Sequence, residues 1–395
     1  MIEIEKYPFP PGPRGAPSGL YAQRQEREPL GLIRLPSGDT VYLACRYEDA
    51  VIVLSDPRFS RDLSYPGAPR VFPGFSITES PGSLSTMDPP EHSRLRRLLS
   101  GTFTIRQVNG WRPRMRELAN RLIDDLPDEF DFVPDFAFDL PVQMICHVMG
   151  VPSVDTQRVR RWSDAMLSNS GLPEQERYNA GEEFYAYCET LIAAQRDAPG
   201  GGLMTTMIEA RDGSDRLTEE EMTSLTLGLF LAGHESTGAS LSRFALRLLT
   251  QREAYTRLIA DPGLIPQATE ELLRLEHLGD SLFIRVAKED VDLPSGTVKK
   301  GDGVIASFTG GNFDPDVFPS PHTLNFDRSP AQPHFTFSRG AHYCLGANLA
   351  RAEIQEFLGV LVQRLPSLEL AVHPDEVAWT LDSLILRPVS VPVHK

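Results

Sequence analysis

The run from Phe337 to Gly346 constrains the fold of this chain more than any other feature. It reads Phe-Ser-Arg-Gly-Ala-His-Tyr-Cys-Leu-Gly and places Cys344 in a loop rich in small residues, immediately before a strongly helical stretch, Ala347 to Leu365. Unpaired backbone N–H groups and the positive dipole end of a helix N-terminus favour a thiolate there. A thiolate without a C-x-x-C partner can serve as an axial ligand to haem iron. The alternative is a buried free cysteine that packs as a small apolar side chain.

The composition indicates a large folded core. The chain has 395 residues, 41% of them hydrophobic, and it contains no Gly/Ser tract, low-complexity run or internal repeat. We therefore predict one domain over residues 1–395, mainly α-helical with a smaller β part, in the α+β class. The four cysteines are widely spaced and predict no disulfide framework.

Charge and the N-terminal sequence exclude some partners. The net charge of −15 argues against nucleic acid as a partner. The N-terminus has neither the apolar region of a signal peptide nor a stretch long enough to span a membrane. We therefore expect a soluble, cytoplasmic protein with no membrane partner.

The pattern of apolar residues predicts the main elements. Residues 61–87 are rich in Pro, Gly and Ser and predict a long loop, a feature that usually carries function. A capping box at Thr218–Glu221 opens a helix to about Thr250, roughly 50 Å long. Residues 168–173 break the helical pattern. We predict further helices at Val51–Leu54, Gln157–Leu167, Glu174–Arg196 and Pro266–Leu275, and strands at Thr40–Arg46, Leu282–Ala287, Asp290–Leu293, Val298–Lys300 and Val304–Ser307.

The long predicted helix contains an unusual polar run, Ala-Gly-His-Glu-Ser-Thr at residues 232–237. Gly233 costs about 1 kcal/mol relative to Ala inside a helix. A buried acid such as Glu235 is costly unless it has a task. The run therefore indicates a functional site, although Ser236 and Thr237 could simply donate hydrogen bonds to helix carbonyls.

These motifs resemble those of the cytochrome P450 family. Phe-x-x-Gly-x-x-x-Cys-x-Gly is the haem-binding signature of that family, and it matches at Phe337, Gly340, Cys344 and Gly346. The resemblance covers nearly the whole chain and is closest to the soluble bacterial type. It implies the P450 fold, with haem b held between the long central helix and the cysteine loop, and Cys344 as the iron ligand.

The family has Ala/Gly-Gly-x-Asp/Glu-Thr in its long helix, which implies roles for the run in this chain. Gly233 would leave room for dioxygen, and Glu235 would feed protons to the reaction. Ser236 stands where the family has Thr, and Thr237 follows it, so both hydroxyls are candidates for the proton relay. Because Ser lacks the methyl group that restricts the rotamers of Thr, we expect a looser relay.

The resemblance also implies four contacts to the haem propionates. His92 and Arg96 are spaced to lie on one helix face, which suits a carboxylate. Arg285 and His342 match the other two contacts. The alternative for each of the four is an ordinary surface charge.

A structural ion pair is predicted at Glu271 and Arg274, which fit Glu-x-x-Arg at helical spacing. Alone, such a pair is usually a solvated surface bridge. In the family it stabilises the fold, and Arg328 would be its third member.

Electrons would come from a ferredoxin and its ferredoxin reductase, because we find no flavin or nicotinamide domain in the chain. An arginine-rich segment supports an acidic donor: residues 92–116 contain seven arginines and no acid. The alternative is a solvated helical face. The arginines are Arg94, Arg96, Arg97, Arg106, Arg112, Arg114 and Arg116.

The family layout places substrate contacts in largely apolar segments with scattered hydroxyls, which favours a medium-sized, mostly neutral, hydrophobic or aromatic secondary metabolite. Hydroxylation or epoxidation with O2 is the leading hypothesis. Oxidative coupling of an aromatic natural product such as a diketopiperazine is the alternative, because Ser236 and the Gly310–Pro315 segment are similar to those of a family member that couples aromatic rings. A non-catalytic binding protein is a third reading. The contact segments are 61–87, Met166–Leu172, Leu229, Gly233, Ser236, Leu282–Ile284 and Ser383–Ile385.

Overall fold

The computed structural model describes residues 4–73, 83–152, 154–168, 171–212, 217–280, 283–329 and 332–395. The chain divides into two compact units. The first consists of Met1–Ser93 and Glu270–Cys344, and the second of Arg94–Thr269 and Leu345–Lys395. Residues 74–82 of the predicted loop, residues 169–170 of the predicted break, and Leu282 lie outside the described residues.

The strands occur in both units and are short. They are β1 Glu5–Lys6, β2 Leu30–Arg34, β3 Thr40–Ala44, β4 Phe59–Ser60, β5 Glu129–Asp131, β6 Arg285–Ala287, β7 Val291–Leu293, β8 Gly296–Val298, β9 Gly303–Ala306, β10 Glu369–Leu370 and β11 Pro392–His394.

The helices supply most of the regular structure. They are α1 Gly19–Arg27, α2 Tyr47–Ser55, α3 Glu91–Ser100, α4 Ile105–Asp124, α5 Asp139–Met149, α6 Thr156–Leu167, α7 Glu174–Asp197, α8 Gly202–Asp212, α9 Glu219–Thr250, α10 Arg252–Ala260, α11 Ile265–Leu275, α12 Phe308–Asn312 and α13 Ala347–Arg364.

The first unit is built on a six-stranded sheet in the order β1-β2-β3-β9-β6-β4. The β1–β2 and β3–β9 pairs are parallel, and the remaining pairs are antiparallel. Apolar side chains from β3, β4, β9 and α2 pack together with the buried rings of Phe318 and Phe335. The pairing of β6 between β4 and β9 fixes the position of Arg285, opposite Val304.

The second unit is helical, with α9 packed against α5, α7, α8, α10 and α13. Most positions of α9 are buried, including polar ones such as His234 and Glu235. The capping box is present: the Glu221 N–H donates to Thr218 Oγ1 (3.0 Å), and the Thr218 N–H donates to Glu221 Oε2 (2.9 Å). A three-stranded antiparallel sheet in the order β10-β11-β5 completes this unit.

Most of the predicted elements are found, with shifted ends. The long helix is confirmed over Glu219–Thr250. The predicted helix Val51–Leu54 belongs to a longer one, Tyr47–Ser55. The strand predicted at Val298–Lys300 was placed too late, because Val298 is the last residue of β8 and the next residues form the turn into β9. The strand predicted from Leu282 begins at Arg285.

None of the helices in the described ranges is both long and apolar enough to cross a membrane.

Candidate active site

The cysteine loop is a tight turn held by backbone hydrogen bonds. The Cys344 N–H donates to the Phe337 carbonyl oxygen (2.9 Å), and a 3-10 turn over Gly340–His342 lies between them. Gly340 has φ +69°, and a Cβ atom there would lie 2.4 Å from the Leu54 carbonyl oxygen of α2. Only glycine fits this position, because a side chain would meet both a left-handed backbone and fixed main-chain atoms.

Cys344 differs from the other cysteines of the chain in its exposure. Its residue is exposed, whereas Cys45, Cys146 and Cys188 are buried. Burial raises the pKa of the Cys146 thiol to about 11 and also raises the pKa values of the Cys45 and Cys188 thiols. The three buried thiols are therefore neutral apolar packing groups, and Cys344 is the accessible sulfur.

Three of the predicted propionate contacts lie in the first unit. His92, at the start of α3, is 2% exposed, and its ring centroid lies 4.3 Å from that of His342. Arg285 is 6% exposed on β6. The fourth, Arg96, follows His92 by one helical turn on α3.

The surroundings of Arg285 show whether these residues suit an anionic group. Burial lowers the pKa of its guanidinium to about 10, and the charge of Asp88 opposes this only in part. Among the described residues no acceptor of a hydrogen bond from the Arg285 side chain is present. A buried cation requires a counter-charge. In the cysteine loop, a Cβ atom added at Gly346 would meet nothing within 4 Å, so this side of the loop is open. An accessible sulfur, an open loop face and a buried cation fit a haem with its propionates.

The predicted ion pair is confirmed, together with its third member. Arg274 donates to both carboxyl oxygens of Glu271 (2.8 and 2.9 Å), and Arg328 Nε donates to the same carboxyl group (3.0 and 3.1 Å). All three side chains are less than 10% exposed. Arg274 also donates to the carbonyl oxygens of Asn312 and Pro321, so the cluster ties α11 to the segment after α12.

The acid of the α9 run has a histidine as its neighbour. Glu235 is 2% exposed, and its Oε1 atom lies 3.3 Å from Nε2 of His234, whose side chain is fully buried. The other ring nitrogen of His234, Nδ1, lies 2.6 Å from the Phe230 carbonyl oxygen. Both residues therefore belong to one buried polar group on α9.

The two hydroxyls beside Glu235 differ in their surroundings. Ser236 Oγ donates to the Ala232 carbonyl oxygen one turn back (2.8 Å). Thr237 is buried beside Glu353 of α13. Burial raises the pKa of Glu353 well above its usual value, and the Thr237 hydroxyl opposes this in part. Glu353 is 1% exposed and is thus a neutral carboxylic acid inside the second unit.

Gly233 has a packing role in the second unit. A Cβ atom at this position would lie 3.0 Å from Cδ1 and 3.2 Å from Cγ1 of Ile145 on α5. Gly238, five residues further along α9, has even less room for a side chain, because a Cβ atom there would lie 2.6 Å from the ring of Phe138. The two glycines allow α9 to approach these neighbours closely.

A charged cluster at the edge of the second unit interacts with Glu235. Asp164 on α6 accepts a hydrogen bond from Arg387 Nη2 (2.7 Å). Desolvation and then the negative charge of Glu235 raise the pKa of Asp164, while Arg387 and Arg160 lower it. The Asp164 side chain is 49% exposed, so the cluster itself reaches solvent.

The structure also brings together two of the predicted substrate segments. Ser168 pairs with Ser383 in an isolated β-bridge, and the Leu384 N–H donates to the Leu167 carbonyl oxygen (2.8 Å). In the first unit, Phe283 is 40% exposed and lies over the guanidinium of Arg61, 4.9 Å from the ring centroid.

The arginine-rich segment is only partly available as a docking patch. Arg94 pairs with Glu221, Arg112 and Arg116 pair with Glu356, and Arg114 pairs with Glu117. Arg97 and Arg106 are exposed and have no acidic partner among the described residues.

Some residues of these clusters were not found from the sequence. His234 was visible in the motif but was given no role, because its contact with the neighbouring acid depends on rotamers. Asp164, Arg387 and Glu353 carry no motif of their own. Glu353 did leave one signal, an acid on the apolar face of a helix.

Comparisons with known proteins identify the family of this chain. The family profile described as Cytochrome P450 matches residues 263–388. The chain is 41% identical over 395 residues to mycinamicin IV hydroxylase/epoxidase of Micromonospora griseorubida, covering 99% of this chain and 98% of that enzyme. It is 39% identical over 402 residues to nocardicin C N-oxygenase of Nocardia uniformis subsp. tsuyamanensis, with the same coverage.

The fold is similar to the crystal structure of cytochrome P450mel, which has biaryl coupling reactivity. The TM-score is 0.89, with 33% identity across 96% of each chain. Identity of this extent over nearly the full length leads to one conclusion: the chain belongs to the cytochrome P450 family of haem-dependent monooxygenases.

Proposed function

We propose that this P450 hydroxylates or epoxidises a medium-sized, hydrophobic or aromatic natural product, with O2 and two electrons from a ferredoxin and its reductase. The observation that carries the proposal is the 41% identity, over 99% of the chain, with a relative named as a hydroxylase and epoxidase of mycinamicin IV.

The residues of the first unit supply the proposed haem contacts. Cys344 is the proposed axial ligand, and haem with a thiolate ligand supplies O–O bond cleavage when bound. The buried cation of Arg285 and the paired rings of His92 and His342 would hold the propionates, with Arg96 as a further contact. Phe337, Gly340 and Gly346 would shape the loop around the sulfur.

The residues of α9 supply the proposed proton relay. Glu235 is the acid, because it is buried and yet connected electrostatically to the solvent-accessible Asp164. Ser236 and Thr237 are the candidate hydroxyls. Rotation of Ser236 away from the Ala232 carbonyl would free its O–H to donate elsewhere, so its back-bond and its relay role are two states of one side chain. Gly233 is proposed to face the oxygen-binding space.

The substrate preference is proposed from the segments that carry apolar side chains. Phe283 presents an exposed aromatic ring, and the contact between Leu167 and Leu384 places two apolar segments side by side. Such surfaces favour an apolar ligand that is oriented by a few polar groups.

The proposed electron donor is an acidic ferredoxin. Arg97 and Arg106 are the cations of the arginine-rich segment that remain exposed and without an acidic partner among the described residues. Opposite charges steer such encounters and set their dependence on salt.

A second candidate is the oxidative coupling of aromatic rings. It is favoured by the similarity to cytochrome P450mel and by Ser236 at the relay position. Coupling places no oxygen atom in the product and therefore depends less on the relay.

The test begins with the reduced, CO-bound spectrum of the purified protein and of Cys344→Ala. We expect the red-shifted Soret band of thiolate-ligated haem in the wild type and its loss in the variant. A thiolate spectrum in folded Cys344→Ala would refute Cys344 as the ligand.

Titration of the ferric protein with mycinamicin IV, with cyclodipeptides and with aromatic metabolites then identifies the ligand class by a shift in the Soret band. Turnover under 18O2 with a surrogate ferredoxin system separates the two reactions. Labelled oxygen in the product supports hydroxylation or epoxidation, whereas an unlabelled dimer or cyclised product supports coupling.

A further inference from the structure

The side chain of Arg61, the first residue after β4, is buried although it carries a positive charge. The residue is 2% exposed. Its guanidinium donates to two main-chain carbonyl oxygens: Nε donates to that of Ser85 (3.0 Å), and Nη1 donates to that of Ile284. A guanidinium presents its donors in one rigid plane, so this side chain holds two chain segments in a fixed relation to each other.

The same guanidinium supports an aromatic ring. The Cζ atom of Arg61 lies 4.9 Å from the ring centroid of Phe283, which is a cation–π contact. Phe283 is 40% exposed, whereas Ile284, the next residue, is fully buried. The contact therefore limits the orientation of the ring and leaves part of its surface available to a ligand.

The segment that accepts the Nε hydrogen bond is a 3-10 turn over Leu84–Thr86. The Thr86 N–H and hydroxyl both donate to the Ser83 carbonyl oxygen (2.9 and 3.0 Å). Neither this turn nor Phe283–Ile284 belongs to a strand. The side chain of Arg61 therefore joins two segments that sheet pairing does not hold together.

The main chain of Arg61 is itself fixed in position. Its N–H donates to Asp88 Oδ1 (2.9 Å), and the Ser60 hydroxyl donates to Asp88 Oδ2 (2.6 Å). Antiparallel pairing of β4 with β6 places Ser60 opposite Val286. Because the base of the side chain is held in this way, a change at its tip would release the two segments while β4 stays paired.

We propose that Arg61 is a positioning residue for substrate specificity, which holds the Phe283 ring and the Leu84–Thr86 turn in place for a hydrophobic or aromatic part of the ligand. The inference rests on the proposed function, in which the segments 61–87 and Leu282–Ile284 carry substrate contacts. Arg61 acts through the ring and the turn and does not itself meet the ligand, because its side chain is buried.

The first measurement uses the wild-type haem protein and needs no variant. The probes are imidazole and imidazoles that carry one or two phenyl rings, because an imidazole nitrogen binds iron and the added rings extend beyond it. Hydrogen–deuterium exchange is followed in peptides that cover residues 83–88 and 283–287. We expect the arylimidazoles, and not imidazole, to slow exchange in both peptides. Unchanged exchange in either peptide would overturn the proposal.

Arg61→Lys tests the positioning role against a matched control, Arg58→Lys. Lysine keeps the charge but lacks the planar fork, so it cannot hold both carbonyl groups and the ring. Arg58 lies just before β4, and its 42% exposed side chain pairs with Asp56 (2.6 Å). We expect only Arg61→Lys to speed exchange in both peptides.

Arg61→Lys should also weaken arylimidazole binding, relative to imidazole, by about fivefold, which is the size of one cation–π contact. The dissociation constants are measured from the shift of the ferric Soret band. Equal changes in Arg61→Lys and Arg58→Lys, or equal weakening for imidazole and the arylimidazoles, would show that Arg61 only stabilises the fold.

A double-mutant cycle with Phe283→Leu tests whether Arg61 acts through the ring. Phe283→Leu alone should weaken arylimidazole binding by about fivefold. Once the ring is absent, adding Arg61→Lys should weaken binding by no more than about twofold further. Independent effects that multiply to about twenty-fivefold would contradict the proposal.

Failure of the proposed function has a different signature. A missing thiolate spectrum in the wild-type protein would refute the haem assignment. The exchange rates of the wild type, Arg61→Lys and Arg58→Lys without any ligand would still decide whether Arg61 holds the two segments.

Discussion

At the residue scale, position decides what each side chain can do. Cys344 is the same residue type as Cys45 and Cys188, yet it is exposed in a loop while the other two are buried as neutral thiols. Arg285 is buried on its strand, and none of the described residues accepts a hydrogen bond from its side chain. Burial of its charge therefore costs free energy. The exposure of Cys344 and the burial of Arg285 are the two observations on which the proposed haem contacts rest.

Replacement by alanine should affect stability and haem binding differently at Gly340 and at Gly346, the two glycines of the cysteine loop. Gly340→Ala should lower both stability and haem content, because its φ of +69° and its 2.4 Å approach to Leu54 leave no room. The expected cost exceeds about 1–2 kcal/mol. Gly346→Ala should keep the stability of the haem-free protein, since its Cβ atom meets nothing within 4 Å, and should lower haem affinity alone.

Urea unfolding and haem titration of the two variants separate these outcomes. Haem affinity equal to wild type in Gly346→Ala would remove this glycine from the proposed haem contacts.

Glu353 should make the protein less stable as pH rises. Burial raises its pKa in the folded state, so above the ordinary glutamate pKa the native state keeps a proton that the unfolded state has lost. The free energy of unfolding then falls by about 1.4 kcal/mol per pH unit until the folded pKa is reached. Glu353→Gln abolishes this slope, and its stability should exceed that of the wild type increasingly with pH.

Urea unfolding from mildly acidic to mildly alkaline pH measures the difference, with the exposed Glu209→Gln on α8 as the control. Parallel pH profiles for wild type and Glu353→Gln would contradict the expectation and show an ionised Glu353 in the folded protein.

At the element scale, α9 has a stabilising capping box at its N-terminus and residues unfavourable for a buried helix in its middle. The capping box satisfies its first N–H groups, while Gly233 and Gly238 allow Ile145 and Phe138 to pack closely against it. The polar run at residues 232–237 lies between these contacts. The helix is therefore stabilised by its N-terminal cap and its packing, and it can accommodate the unfavourable polar residues in its middle.

The start of α9 can be tested by one substitution. Thr218→Ala removes the side-chain acceptor of the Glu221 N–H and should cost about 1 kcal/mol in the free energy of unfolding. Thr205→Ala on α8 is the control, because its hydroxyl only donates to the Gly201 carbonyl oxygen. Urea midpoints compare the two. A loss of equal size in both variants would show that Thr218 acts as an ordinary helix threonine.

At the scale of the whole molecule, charge is distributed unevenly. The net charge is −15, yet residues 92–116 contain seven arginines and no acid. Arg94, Arg112, Arg114 and Arg116 form ion pairs with glutamates. These pairs reduce the area of positive surface that an acidic partner could contact. An acidic partner meeting a mostly acidic protein depends on such a surface for its orientation.

Arg97→Glu with Arg106→Glu should weaken the encounter with an acidic ferredoxin. We expect the KM for ferredoxin to rise and the salt dependence of reduction to become shallower, with kcat at saturating ferredoxin unchanged. Arg121→Glu on α4 is the control, since Arg121 already lies beside Glu117. Stopped-flow reduction at several salt concentrations makes the comparison. Equal KM values in the double variant and the control would place the docking surface elsewhere.

The sequence alone determined the family-level features, because these depend on local order along the chain. The cysteine motif, the capping box and the Glu-x-x-Arg pair each lie within ten residues, and spacing along a helix or turn fixes their geometry. The sequence also indicated residues that are energetically unfavourable in their predicted element, such as the acidic Glu235 in an apolar helix.

Only the tertiary structure decided which of these residues interact. Arg328 reaches Glu271 from 57 positions away, and Glu353 lies beside Thr237 although no motif links them. The tertiary structure also pairs four of the seven arginines in the arginine-rich segment with acids. It places Nε2 of His234 3.3 Å from Oε1 of Glu235. Such contacts depend on packing between distant elements and on rotamers, which the order of residues does not encode locally.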